Sequence, residues 1–202
     1  MNEFLQRYPR KLQSGDGAFD IRQMTPDDES QVLAFAAAIP SHDLLFLPRD
    51  IRQPRVMAAW VREMRAGNLL SLLASRPDAA GAAEIVGSAV VARDPLSFSP
   101  HVGELRVLLA PSVRDQGLGR VLIQESFLLA VALGLTKLTA RMTGEQTAGI
   151  AVFEDIGFRV EALLRDQVRD ADGSTYDIVV LSEDVAARES KHALYGIPEA
   201  FD

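Results

Sequence analysis

The apolar positions of this chain change rhythm several times, and each change marks an element. Phe19 to Arg22 alternates over a few residues and predicts a short first strand. Behind it, Val32, Leu33, Phe35 and Ala36 recur at helical spacing and stop before Pro40. Thr25 can cap that helix, Pro26 suits its first position, and Asp27 and Asp28 suit its positive end. A loop from Ser41 to Pro54 follows, carrying His42, Asp43 and the apolar run Leu44 to Leu47. Val56, Met57, Trp60, Val61 and Met64 then repeat at helical spacing from Pro54 to Gly67.

The rhythm next becomes that of strands, at Leu69 to Ala74, Glu84 to Ala92 and Val102 to Ala110. A helix is predicted over Gly117 to Leu133, a strand over Thr136 to Met142, and a short helix over Gln146 to Ile156. Val160 to Val168 and Thr175 to Leu181 form a hairpin around the turn residues Ala-Asp-Gly-Ser. A helix between the strands Val102–Ala110 and Thr136–Met142 makes them a parallel pair with a crossover, while the hairpins on either side are antiparallel. The expected fold is therefore α/β of mixed type. Its sheet has six to seven strands, mostly antiparallel, with helices on both faces. Residues 1–17 read as a polar N-terminal arm, and residues 183–202 as a mixed C-terminal tail with a helical start.

Composition narrows the chemistry more than the fold. The 202 residues suit one domain, and a net charge of −7 lacks the basic footprint that nucleic acid requires. There is no cysteine, which excludes disulfides and thiolate chemistry. The three histidines, His42, His101 and His192, are far apart and give no ligand pair, so no metal is expected. No run approaches the roughly 20 apolar residues of a membrane span, and no secretory leader is visible at the start, so a cytoplasmic protein is expected.

The most informative stretch is Val113 to Glu125, VRDQGLGRVLIQE, between a strong strand and a long helix. The first N–H groups of a helix lack internal partners and bind anions, and glycines let such backbone approach phosphate closely. Arg114 and Arg120 add positive charge. The residues alone allow a phosphate cradle or a plain helix-starting turn, since neither common phosphate fingerprint is present.

Arg114-Asp115-Gln116-Gly117-Leu118-Gly119 resembles the central motif of the GNAT superfamily of acyl-CoA-dependent N-acyltransferases. Ala151 to Phe158, AVFEDIGF, resembles that family's short helix ending in Gly-Phe, and the order of elements from Phe19 to Leu181 agrees. The resemblance covers residues 18–182 and leaves out the arm and the tail. It implies acetyl-CoA as co-substrate, with its pyrophosphate on the backbone of Arg114 to Arg120 and its pantetheine paired along Val107, Leu108 and Leu109. Three positions depart from the family pattern. Asp115 puts an acid in the cradle, Gln146 replaces a frequent asparagine near the cofactor, and Phe153 replaces a tyrosine thought to protonate the leaving thiolate. Phe153 also lies in step with Ile150 and Ile156, as a core residue would.

The implied activity is transfer of an acetyl group to a primary amine by direct attack in a ternary complex. The alternative is a catalytically degenerate acyl-CoA sensor. Glu104 is the candidate base, since the family often places a glutamate early in this strand. It shares a face with Arg106 about 7 Å along the strand, so a structural ion pair is the competing role. His42 and Asp43 lie where the family builds its acceptor pocket, His101 precedes the strand, and Tyr176 falls in the last hairpin. The acceptor's identity is open, and the amphipathic helices would allow a homodimer.

Overall fold

The computed structural model describes residues 5–15 and 17–185. They build one eight-stranded sheet with strand order β1-β2-β3-β4-β5-β6-β8-β7. The strands are β1 (Arg10–Ser14), β2 (Gly17–Gln23), β3 (Leu69–Pro77), β4 (Ala83–Arg93), β5 (Val102–Leu109), β6 (Lys137–Thr143), β7 (Arg159–Arg169) and β8 (Thr175–Asp184). Every neighbouring pair is antiparallel except β5 with β6, which is parallel. That exception is the pair joined by the crossover helix, as parallel strands require.

The four helices are α1 (Glu29–Ala38), α2 (Pro54–Arg65), α3 (Leu118–Ala132) and α4 (Thr147–Ile156). They divide the core in two. On one face α3 and α4 pack Leu122, Phe127, Leu129 and Phe153 against Leu72, Val91, Leu105 and Leu138. On the other, α1 and α2 pack Val32, Phe35 and Met57 against Leu73, Leu108 and Ile178. Adjacent strand residues such as Leu72 and Leu73 serve opposite cores because side chains alternate across a sheet. The central strands are therefore apolar on both faces.

The structure departs from the pattern in its strand count and at its N-terminal side. The arm is not outside the sheet: Arg10–Ser14 is an eighth strand, paired with β2 from Arg10↔Ile21 to Ser14↔Gly17. An edge strand needs one buried face only, and here Leu12 alone supplies it, so no apolar rhythm announces β1. β8 runs on to Asp184, three residues beyond the expected end, and Val185 joins the core. The tail reading for residues 186–202 lies outside the described residues.

The start of α1 also differs. Pro26–Asp28 forms a 3₁₀ turn, and Asp28, rather than Thr25, collects the hydrogen bonds. Its carboxylate accepts the Thr25 N–H at 2.7 Å, the Thr25 hydroxyl at 3.0 Å, and two Arg22 N–H groups at 2.7 and 2.6 Å. With 5 % of its surface exposed, Asp28 ties β2 to α1. The Arg22 hydrogen bonds hold its carboxyl below the usual range, and the Thr25 donors add to this. A depressed carboxyl stabilises the fold above its ordinary pKa of about 3.9, and that stabilisation is lost as pH falls below it. Asp28→Asn is expected to lower stability at pH 7 by about 1.5–3 kcal/mol. Urea titrations of both proteins at pH 7 and at pH 3 check this, and the difference should shrink at the lower pH.

Candidate functional site

The site begins where two strands part. β5 and β6 pair only from Val102↔Lys137 to Leu105↔Ala140, although β5 continues to Leu109 and β6 to Thr143. Beyond Ala140, β6 stays with β8 as far as Thr143↔Ile178, so β5 is left behind with β4. The β5 edge from Arg106 to Leu109 therefore faces a wedge. Ala110 and Pro111 end the strand, and proline brings no donor with which to continue a ladder.

A cavity of about 590 Å³ fills this wedge. Val107, Leu108, Leu109 and Met142 line it from the two strands, and Val152 and Phe153 from α4. At its mouth lie Arg114, Asp115, Gly117, Gly119 and Arg120, at the start of α3. No side chain caps that helix end, so its first N–H groups are left for solvent or a ligand. Asp115 (φ 60°) and Gly117 (φ +80°) are both left-handed, and aspartate is among the residues that tolerate this.

Ten of the expected cofactor residues thus share one cavity. Gln116 and Leu118 are not among its walls. Leu118 is fully buried in the core, and the Gln116 carbonyl accepts a hydrogen bond from Ser14 Oγ at 2.7 Å. The protein itself crowds both glycines, and Gly117, with its positive φ, far more than Gly119. A Cβ on Gly117 would stand 2.7 Å from Ser14 Oγ, and one on Gly119 would stand 3.2 Å from Leu109 Cδ1. The arginines are engaged too. Arg114 Nη2 donates to Asp43 Oδ2 at 2.6 Å, and Arg120 Nη2 to Asp155 Oδ2 at 2.8 Å. Such exposed pairs are worth at most about 1 kcal/mol, so either guanidinium can turn to an anion at small cost.

The two departures further along the cavity have structural explanations. Gln146 Oε1 accepts the Thr143 N–H at 2.9 Å, which leaves its amide N–H groups unspent. Phe153 is 5 % exposed and meets Phe158 edge-to-face at 4.9 Å, so it is a core residue that also walls the cavity. The loop between α1 and α2 closes one side. His42 Nε2 lies 3.2 Å from Glu145 Oε2, and its ring meets Tyr176 edge-on at 5.0 Å. Sequence reasoning missed Glu145, since nothing marks it among surface acids.

Glu104 is elsewhere. It lines a second cavity, of about 640 Å³, between α2 and the opposite face of β4 and β5. There its carboxylate accepts Arg106 Nε at 3.0 Å and Arg106 Nη2 at 2.9 Å, so the expected same-face pair is formed. Trp60 Nε1 and Ser88 Oγ line this cavity as well, both buried without a protein hydrogen-bond partner. Leu108 borders both cavities, and Ser88 stands opposite it on β4. The two spaces therefore approach each other across the Leu108 side chain. His101 is exposed and borders neither.

Comparisons with known proteins agree with this geometry. The family model described as "Acetyltransferase (GNAT) family" matches residues 40–158, more than half of the chain. An acetyltransferase of the GNAT family from Streptococcus pneumoniae is 22 % identical, with a TM-score of 0.68 over 82 % of this chain and 99 % of that one. The Salmonella typhimurium protein yncA, solved with its cofactor acetyl-CoA, is 18 % identical, with a TM-score of 0.67 over 83 % and 94 %. Spermidine N-acetyltransferase from Vibrio cholerae, in complex with CoA and spermine, is 13 % identical, with a TM-score of 0.66 over 83 % and 96 %. Identities this low carry the fold alone. No curated protein sequence matches the chain.

Proposed function

The chain belongs to the GNAT family of acetyltransferases, and from that premise we propose that it transfers the acetyl group of acetyl-CoA to a primary amine, by direct attack in a ternary complex. The observation that carries this reading is the wedge, open along β5 from Arg106 to Leu109 with an uncapped helix end at its mouth. The fit is chemical as well as spatial. Free helix N–H groups suit a pyrophosphate, and a strand edge without a partner suits the amides of a pantetheine arm laid along it. Bound there, acetyl-CoA supplies an activated acyl carbon. The neighbours in complex with acetyl-CoA, CoA and spermine support the same ligand classes here.

The chain's own residues then have distinct tasks. Backbone N–H groups near Leu108 stabilise the oxyanion as the amine attacks. The amine enters through the second cavity and reaches the acyl carbon past Leu108. An alkylamine with pKa about 10.4 arrives protonated, so a base is needed. Glu104 takes the proton, through water, because it sits four residues from Leu108 on the same strand face. Arg106 holds that carboxylate in place. A second reading, a CoA-binding sensor without catalysis, is favoured by one observation: Phe153 offers no hydroxyl to protonate the thiolate. An alkyl thiol has a pKa of about 8.5, so its thiolate leaves tolerably well near neutrality without an acid.

Three measurements test the assignment. Gly119→Val should weaken acetyl-CoA binding by calorimetry, because the side chain pushes against Leu109 at the cavity wall; unchanged affinity would remove the cradle. Glu104→Gln should lower kcat about 10²–10⁴-fold with acetyl-CoA affinity nearly intact. That loss should shrink as pH rises and the amine deprotonates unaided, whereas full activity at neutral pH would leave Glu104 only its pairing with Arg106. Phe153→Tyr should change kcat by less than about tenfold, or roughly 1.4 kcal/mol of barrier. An inactive wild type that this substitution switches on would favour the sensor reading instead.

A further inference from the structure

The segment before residue 40 lies outside the matched family region, yet it reaches the start of α3. We propose that Ser14, at the end of β1, is a positioning residue for the phosphate-binding loop. Its hydroxyl fixes the Gln116–Gly117 peptide so that the Gly117 N–H is presented to the anion. The proposal rests on the reading that acetyl-CoA binds in the wedge.

The geometry is specific. Ser14 Oγ donates to the Gln116 carbonyl at 2.7 Å. In a trans peptide the carbonyl and the following N–H point to opposite sides. A carbonyl held toward β1 therefore turns the Gly117 N–H away from β1, toward the side where Gly117 borders the cavity. The reverse orientation would aim the carbonyl oxygen at the phosphates and repel them. Glycine in a left-handed turn allows both orientations, so something else must choose between them. Ser14 makes that choice. The fit is close from both directions: a Cβ on Gly15 would come within 3.1 Å of the Gln116 oxygen, and one on Gly117 within 2.7 Å of Ser14 Oγ.

The strand that carries Ser14 is anchored to the same helix. Glu125, on α3, is 3 % exposed and accepts hydrogen bonds from the Tyr8 hydroxyl and, at 2.8 Å, from Arg10 Nη1. Arg7 Nη2 lies 3.8 Å from the same carboxylate. Burial, with Glu125 beside it, pushes the Tyr8 hydroxyl far above its ordinary pKa, so it remains a donor. Leu5, Tyr8 and Leu12 pack on the core that α3 shares. The N-terminal segment thus grips α3 in its middle and the phosphate loop at its start, and Ser14 is the point where that grip touches the ligand-binding backbone.

The test compares two acyl donors in the full chain. Acetyl-CoA carries the pyrophosphate, and S-acetylpantetheine lacks it. Ser14→Ala should raise the Kd for acetyl-CoA, by calorimetry, about five- to tenfold, as expected for loss of one orienting hydrogen bond. It should leave the KM for S-acetylpantetheine and for the amine unchanged, with a melting temperature close to wild type. Ser14→Thr, which keeps the hydroxyl, should restore the acetyl-CoA affinity. Equal acetyl-CoA affinity in Ser14→Ala and wild type would overturn the proposal, and so would an equal loss for both donors. A wild type that fails to bind acetyl-CoA would overturn both this proposal and the functional reading beneath it.

Discussion

One constraint organises the molecule: β6 cannot follow both of its neighbours. It stays paired with β8 as far as Thr143↔Ile178 and leaves β5 after Leu105↔Ala140. Buried backbone donors and acceptors must find partners, and the stretch Arg106–Leu109 has a strand partner on one edge only, β4. The open edge is thus a template for an extended ligand. Because β5 and β6 are parallel, the chain must cross over between them, and the crossover helix α3 begins where the open edge ends. The positive end of a helix and an unpaired strand edge meet at one cavity for the same topological reason.

The alternation of β5 then separates two kinds of chemistry. Val107 and Leu109 face the α3 side and Glu104, Arg106 and Leu108 the α2 side. The wedge and the charged pair in the second cavity consequently lie on either side of Leu108, the one residue that lines both. This division suits a reaction between an activated acyl group and an amine, which must be delivered from different directions. Asp43 and Asp155 hold Arg114 and Arg120, at the start of α3, in weak exposed pairs rather than leaving them bare.

Much of this was legible in the sequence, and the exceptions have physical causes. The seven longer strands and four helices announce themselves by apolar rhythm, and the Arg-x-x-Gly-x-Gly stretch marks the helix start correctly. The Glu104–Arg106 pair follows from strand alternation alone. β1 was hidden because a polar edge strand with one inward apolar residue, Leu12, has no rhythm to read. Ser14 was hidden because its partner is a backbone carbonyl a hundred residues away. The sequence does carry one sign of this contact: Glu125 is a lone acid within the apolar run of α3, and a buried carboxylate needs partners. Tyr8 and Arg10 supply them. In the sequence the motif glycines signal space for phosphate, whereas in the fold Ser14 already crowds the place a side chain on Gly117 would take, and Leu109 more loosely that on Gly119.

Amide hydrogen exchange with and without acetyl-CoA tests the central claim most directly, since it reports on the backbone groups the wedge leaves open. The account predicts new protection at the amides of Val107 and Leu109, which face the wedge because the Ala110 N–H donates to Val86 on β4 and strand groups alternate, and at those of Gly117–Arg120, with little change in β2 and β3. Binding without protection at both stretches, or protection confined to the cavity around Glu104 and Trp60, would contradict it.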